Sequence, residues 1–354
     1  MLKQIETKIS EGVQINTEEA IYLFSLPLPV LGELATQVKR RFHKHDTATF
    51  IVDININLTN VCQAECDFCA FYVKHGSSRA FTLNIDAVLE KIAGLVELGG
   101  TQVLLQGGIN PELGLDYYLD MLRAIKQRFD VYLHAFSPPE IAYMAEREKL
   151  TTVEILEKLR EAGLDSLPGG GAEILVDRVR DLISPKKISK DIWLRIMREA
   201  HQIGMESTAT MMFAGIETLE ERIKHLEAIR SLQDETGGFR AFIPWTFSPE
   251  NTRLNDVVMA GGGEYLKTLA ISRLYLDNIE HIGSGWVTEG MNVAQIGLLF
   301  GADDMGGILM EEKVLESTGM RNRTNIAEIV DTIKQAGLNA ARRDTEYNIL
   351  EKLQ

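Results

Sequence analysis

The sequence has few of the features that direct a chain to a membrane, a nucleic acid or a secretory pathway. No apolar run is long enough to span a bilayer, and the charged start "MLKQIETKISEGVQINTEEA" has no apolar core of a signal peptide. The 37 Lys and Arg residues are outnumbered by 51 Asp and Glu residues, which gives a net charge of -14. This balance argues against general binding of nucleic acid or anionic membranes. We therefore expect a cytoplasmic protein, and a small anionic substrate held by local arginines remains compatible with this charge.

Cysteine is also scarce, since the 354 residues include only three, and all lie in "CQAECDFCAFY" at positions 62, 66 and 69. An odd number cannot pair fully in disulfides, and thiols stay reduced in the cytoplasm. A zinc site usually needs four ligands and a second cysteine or histidine pair; His75 offers a fourth ligand, but no second pair follows. Three thiolates on one short loop suit an iron–sulfur cluster that leaves one iron without a protein ligand. The spacing favours the cluster and leaves zinc open.

The common phosphate-binding motifs are missing as well. The chain contains neither G-x-x-x-x-G-K-[ST] nor G-x-G-x-x-G, although "QGG" (106–108) and "PGGGAE" (168–173) are rich in glycine. Glycine permits tight turns and also lets a backbone approach a ligand closely. These loops are therefore turns or ligand-approaching segments, but not phosphate loops.

From residue 50 onwards, short β-rich runs alternate with amphipathic helical stretches. In the first helical stretch, an N-cap candidate, Asn84, precedes apolar residues at helical spacing. We predict a (β/α)8 TIM-type barrel over residues 49–354 with C-terminal helices, preceded by a helical extension over residues 1–48. The fourth and eighth predicted strands have weak sequence patterns, so an open doubly wound sheet remains the alternative. The predicted strands are 49–57, 101–106, 131–136, 165–170, 207–213, 239–247, 281–286 and 301–305.

Three polar residues stand at or near the ends of predicted strands, where barrel enzymes carry their chemistry. His134 lies inside an apolar strand, where a histidine is either a hydrogen-bonded core residue or a catalytic group. Glu173 and Glu217 each follow a strand, so they serve either as favourable charge at a helix start or as partners for ribose hydroxyls or an amine.

The C-x3-C-x2-C spacing, with Phe68 before the third cysteine, resembles the signature of radical S-adenosylmethionine (SAM) enzymes. The resemblance implies that Cys62, Cys66 and Cys69 hold a [4Fe–4S] cluster whose open iron chelates SAM, and that reductive cleavage of SAM yields a 5′-deoxyadenosyl radical. It also implies SAM-binding roles for residues matched by position. These are Phe68 before the third cysteine, Phe71 and Tyr72 near the adenine, Gln106, Gly107 and Gly108 near the amino group, Glu173 near the ribose, and Glu217 at the end of a loosely matching adenine stretch, 212–217.

The resemblance extends to a subgroup of radical SAM enzymes from the futalosine route to menaquinone and from F420 biosynthesis. It covers the chain from about residue 20 to the C-terminal end and includes "LDSLPGGGAEIL" and "GADDMGG". "FIVDININLTN", "HAFSPPEI" and "IPWTFSPENT" resemble the branch that cyclises dehypoxanthine futalosine. Two positions depart from the family pattern: "FAGIET" replaces a frequent Gly-His pair, and Ser248 a frequent Gln.

This branch implies hydrogen abstraction from the substrate ribose at C4′, addition of the carbon radical to the benzoate ring, and loss of a proton and an electron. His134 is the candidate base, and Arg79, Arg178 and Arg240 are candidates for the benzoate carboxylate. A flavodoxin- or ferredoxin-type reductant is implied. The alternatives are an aminofutalosine synthase, an F420-pathway radical SAM enzyme and, from another class, an iron–sulfur electron carrier or sensor.

Overall fold

The computed structural model describes residues 1–213 and 216–353, and three helices precede its first strand. They are α1 (Leu2–Glu11), α2 (Thr17–Leu23) and α3 (Leu28–Phe42). The start of α2 is fixed by a capping box, in which Asn16 accepts from the Glu19 N–H and Glu19 reaches back to the Asn16 N–H. Leu31, Leu34 and other apolar residues of α3 are buried, so these helices pack against the rest of the chain.

Parallel strands are linked in a ring within the described residues. Strands β2, β3 and β4 pair in parallel, as do β5, β6 and β7. Single bridges at residues 166 and 167 join β4 to β5, a bridge at residue 283 leads to β8, and β8 pairs with β1. Strand β1 leads into β2 through a single residue, so the two together form the first predicted strand (49–57) and complete the ring. The predicted TIM-type barrel is confirmed. The strands are β1 (Thr47–Ile51), β2 (Asp53–Asn57), β3 (Gln102–Gln106), β4 (Tyr132–Ala135), β5 (Ser207–Phe213), β6 (Phe239–Thr246), β7 (His281–Ile282) and β8 (Asp304–Gly307).

The fourth strand position is reduced to the two bridging residues Ser166 and Leu167. Pro168, which has no N–H to donate, and three glycines follow at once, so the ladder cannot continue. The fourth predicted strand, which has a weak sequence pattern, therefore forms only isolated bridges in the structure.

The connections are helical, as the amphipathic stretches predict. In the first, Asn84 accepts from the Ala87 N–H, and Val88, Ile92 and Leu95 are buried. Within the described residues, no helix is long and apolar enough to cross a membrane. The helices are α4 (Ile85–Glu97), α5 (Leu115–Arg128), α6 (Pro138–Glu148), α7 (Thr152–Glu161), α8 (Asp177–Ile183), α9 (Lys190–Gln202), α10 (Leu219–Thr236), α11 (Gly262–Tyr275), α12 (Trp286–Glu289), α13 (Met291–Gly297), α14 (Lys313–Glu316) and α15 (Ile326–Gln335).

Two further strands, β9 (Asn339–Arg343) and β10 (Ile349–Leu353), form an antiparallel C-terminal hairpin that the sequence did not predict. Strand β9 runs parallel to β1, on the side away from β8. Arg343 donates to both carboxylate oxygens of Asp304, at 2.6 and 2.8 Å, and Tyr347 stacks on His281 with ring centroids 3.5 Å apart. Because Asp304 and His281 begin their strands, this hairpin closes the amino-terminal end of the barrel.

Candidate active site

The cysteine loop (residues 58–73) leaves the carboxyl end of β2, as expected for the first barrel strand. Backbone hydrogen bonds fix it on several sides: Cys62 N–H to the Val73 carbonyl (3.1 Å), Gln63 N–H to the Ile109 carbonyl (2.9 Å) and Asp67 N–H to the Ile183 carbonyl (2.9 Å). All three cysteines are free thiols. Burial raises the pKa of the Cys66 thiol to about 12, so a metal would have to drive its deprotonation.

The glycines of the "QGG" segment let the loop after β3 approach the cysteine loop. A Cβ atom on Gly108 would lie 2.2 Å from the Val61 carbonyl oxygen and 2.9 Å from the Cys62 Cβ. A Cβ on Gly170 would lie 2.8 Å from the Gln106 Nε2 atom. Glycine is therefore required at position 108, where the contact is with backbone, whereas a Cβ at position 170 would displace only the flexible end of Gln106.

A buried lysine lies beside the cysteine loop. Lys187, from the segment between α8 and α9, donates to Glu173 Oε1 at 3.0 Å, and its Nζ atom is 4.9 Å from the ring centroid of Phe68. Its side chain is 14% exposed. Burial opposes the charged form, but the thiolate form of Cys66 and the carboxylate of Glu173 favour it and raise the pKa of Lys187 above its usual value. This ammonium is therefore a permanent charge.

A second buried cation, Arg180, lies next to the same carboxylate. Its side chain is 3% exposed, its Nη1 atom is 3.9 Å from Glu173 Oε2, and it donates to the carbonyl oxygens of residues 171 and 172. Burial lowers the pKa of Arg180, and the charges of Glu173 and then Asp177 act against that effect. Among the described residues, Glu173 Oε2 has no hydrogen-bond partner.

A cavity of about 380 Å³ occupies the barrel interior. Leu104, Ile243, Trp245 and Trp286 contribute apolar walls. Gln106 and Glu173 line its carboxyl end, and Arg240, Arg343 and Tyr347 line its amino-terminal end. An apolar cavity of this size with a few polar groups suits a small organic ligand.

The structure distributes the predicted SAM-binding residues over this cavity and a second cleft. Gln106 and Glu173 line the cavity, whereas Cys69, Phe71 and Tyr72 line a cleft of about 1120 Å³. Glu217 is not among the described residues that line the cavity or the cleft. Its carboxylate accepts a hydrogen bond from buried Arg222 at 2.7 Å. The loosely matching stretch 212–217 includes residues 214 and 215, which lie outside the described residues.

His134 lines the barrel cavity, but hydroxyl groups contact both of its ring nitrogens. Nδ1 lies 2.6 Å from Ser166 Oγ, and Nε2 lies 3.3 Å from Thr208 Oγ1. Burial, followed by the positive charge of Arg240, lowers the pKa of His134 well below its usual value. The imidazole is therefore neutral near pH 7 and a weak proton acceptor.

The structure separates the three candidate arginines. Arg240 lines the barrel cavity and donates to Tyr132 Oη (2.8 Å) and the Thr345 carbonyl (3.0 Å). Arg79 lines the cleft instead. Arg178 is half exposed and pairs with Glu221.

Comparisons with known proteins identify the family of this chain. Residues 56–229 match the model of the radical SAM superfamily, and residues 236–354 match the CofH/MqnC C-terminal region. The chain is 44% identical to cyclic dehypoxanthine futalosine synthase of Streptomyces coelicolor over 99% of this chain and 89% of that protein. It is 41% identical to the enzyme of the same name from Halalkalibacterium halodurans, over 96% and 92% of the two chains. It is 38% identical to aminodeoxyfutalosine synthase of Thermus thermophilus, over 97% and 94%.

Solved structures resemble the chain in fold. Methylornithine synthase superposes with a TM-score of 0.77 at 19% identity, covering 96% of this chain and 97% of that one. The FeFe-hydrogenase maturase HydG from Carboxydothermus hydrogenoformans also superposes with a TM-score of 0.77 at 19% identity, covering 98% and 80%.

Proposed function

This chain belongs to the radical SAM superfamily, and on that premise we propose that it cyclises dehypoxanthine futalosine to cyclic dehypoxanthine futalosine in menaquinone biosynthesis. The observation that carries the proposal is 44% identity, over nearly the full length of both chains, to an enzyme with that name. The relative named aminodeoxyfutalosine synthase is less similar, at 38% identity, and is the second candidate. The two candidates differ in the fate of the adenosyl group, which makes them separable by experiment.

The residues around the cysteine loop fit a [4Fe–4S] cluster and SAM. Three free thiols share one loop, two buried cations lie close to Cys66, and an unpartnered carboxylate oxygen of Glu173 borders the cavity among the described residues. Bound there, the cluster and SAM would supply the 5′-deoxyadenosyl radical that removes a hydrogen from the substrate ribose.

We assign cluster binding to Cys62, Cys66 and Cys69. SAM contacts are assigned to Phe68, Phe71, Tyr72, Gln106, Gly107, Gly108 and Glu173. Glu217 stays a prediction of the resemblance, because its carboxylate faces Arg222 here. A flavodoxin- or ferredoxin-type reductant and a cytoplasmic location remain part of the proposal, with residues 1–48 as an extension of the catalytic unit 49–354.

The barrel cavity supplies positioning and exclusion of water. Its apolar walls suit an aromatic ring, and holding the substrate in one pose matters because an alkyl radical takes any nearby hydrogen. We choose Arg240 to bind the benzoate carboxylate, because Arg79 and Arg178 are not among the described residues that line this cavity. His134 stays our candidate to receive the ring proton, although its pKa is low and both ring nitrogens contact hydroxyl groups of Ser166 and Thr208.

The test is isotopic. Anaerobic protein with reconstituted cluster, SAM and reductant is given substrate deuterated at ribose C4′. Deuterium in free 5′-deoxyadenosine, released in step with the spirocyclic product, is the expected result. Adenosyl carbons found in the aromatic product would transfer the assignment to the synthase. His134→Ala should slow product formation more than 5′-deoxyadenosine release, because hydrogen abstraction comes first.

A further inference from the structure

Two buried cations beside the cysteine loop share one carboxylate. Lys187 bonds Glu173 at 3.0 Å and Arg180 lies 3.9 Å from it, and all three side chains are largely removed from solvent. The cluster of Lys187, Arg180 and Glu173 therefore carries one surplus positive charge. Once deprotonated, Cys66 would act on both cations.

A surplus charge away from water is costly unless an anion lies close to it. Three thiolates around a [4Fe–4S] core supply such an anion, and its negative charge grows by one unit when the cluster takes up an electron. A fixed cation beside the cysteine loop favours the reduced form, and its effect is poorly screened because its Nζ atom packs on the Phe68 ring and its side chain is only 14% exposed.

We propose that Lys187 raises the reduction potential of the cluster held by the cysteine loop, and so sets the reductant strength that the enzyme needs. The inference rests on the proposed cluster but not on the proposed substrate. Arg180 contributes to the same field, but its bonds to backbone carbonyls make it a structural residue as well. Lys187 is therefore the residue to test.

The matched control is the neighbouring residue, Lys186. It also lies near the cysteine loop, where it donates to Glu65 at 2.7 Å, but its side chain is 56% exposed. Lys186→Gln and Lys187→Gln remove the same charge from adjacent positions. Water and salt screen the first charge and not the second. Lys187→Arg keeps the charge, and Lys187→Met is a second neutral variant that retains the apolar packing on Phe68.

The measurement is the midpoint potential of the cluster in the full-length reconstituted protein without SAM, from a redox titration followed by electron paramagnetic resonance. At a fixed ambient potential, Lys187→Gln and Lys187→Met should lower the ratio of reduced to oxidised cluster about tenfold, which is about 59 mV for one electron. Lys186→Gln and Lys187→Arg should stay close to the wild type. Iron content and circular dichroism confirm that each variant is folded and loaded.

Unchanged midpoint potentials in both neutral variants, Lys187→Gln and Lys187→Met, overturn the inference. If these variants also bind SAM more weakly, Lys187 is a SAM ligand instead. Loss of iron from both, with iron kept by Lys187→Arg, also overturns it, because the lysine would then assemble the cluster rather than tune it. If the wild type itself binds no cluster, the proposed function fails together with the inference. A cluster with an unaltered potential leaves that function standing.

Discussion

Replacing Gly108 by alanine should separate the cysteine loop from the loop after β3. The new Cβ would lie 2.2 Å from the Val61 carbonyl oxygen, 2.7 Å from its carbonyl carbon and 2.9 Å from the Cys62 Cβ. Backbone and Cβ atoms cannot rotate away as the end of a flexible side chain can, so the cysteine loop itself must move. Overpacking of this kind costs about 1–3 kcal/mol, and the shift acts directly on a cysteine.

Alanine substitutions at two other glycines serve as comparisons for Gly108→Ala. A Cβ on Gly107 would meet its nearest atom, Thr59 N, at 3.3 Å, so Gly107→Ala should cost less than Gly108→Ala. Gly94 lies inside α4, where an added Cβ would meet no atom of the described residues within 4 Å. Gly94→Ala should therefore stabilise the protein by about 0.5–1 kcal/mol.

The assay is urea unfolding of the anaerobic apoprotein, with iron content measured after reconstitution of each variant. We expect stability to fall in the order Gly94→Ala, wild type, Gly107→Ala, Gly108→Ala, with iron reduced mainly in the last. If Gly108→Ala matches Gly107→Ala in both stability and iron content, the close contact between the two loops does not constrain the cysteines, and the reasoning is refuted.

Three other perturbations have defined outcomes. Cys66→Ala should abolish iron binding and activity together; stoichiometric zinc in native protein, with activity kept in the variant, would restore the zinc alternative. Arg343→Ala leaves Asp304 as a buried carboxylate without its bidentate partner, so the free energy of unfolding should fall by about 3–5 kcal/mol; a much smaller loss in denaturant titration would show that Asp304 finds water. Burial raises the pKa of Asp53 to about 6, so its contribution to stability is complete below about pH 4 and is lost as pH rises through 6. Asp53→Asn should therefore be up to about 3 kcal/mol more stable than the wild type at pH 7, with a flatter profile between pH 4 and 6, and an equal or lower stability there would contradict this sign.

The sequence predicts the barrel well because its strands and helices have strong local patterns. β-rich runs such as "TQVLLQ" and capped helices such as the one after Asn84 each carry their own pattern. The C-terminal hairpin has no such pattern: "NAARR" is polar and charged, and it becomes a strand because β1 offers it an edge. The partner of Arg343, Asp304, is set by the ring closure and cannot be read from either segment alone.

The residues of the candidate site also differ in whether a local sequence pattern predicts them. The spacing of Cys62, Cys66 and Cys69 is a local signal, and so are the glycines at 107 and 108. Lys187 and Arg180 carry no comparable signal, since basic residues around a helix are usually solvated. Their burial depends on α8 and α9 folding back over the cysteine loop, where Asp67 N–H reaches the Ile183 carbonyl. For these two cations, the only sequence signal is the "SPKK" segment (184–187), which follows the glycine-rich loop 168–173.

The pairing of β9 with β1 brings together two segments that lie far apart in the sequence. Thr47 has its strand partner in Asn339, which is translated much later. Until residues 339–343 have emerged, one side of the first strand stays an open edge, available to other nascent chains. The cysteines are translated long before that edge is covered. The barrel ring closes once β8 pairs with β1, but this edge of β1 is covered only when the later strand β9 has been made, so a chain truncated between β8 and β9 should aggregate more readily than the full chain.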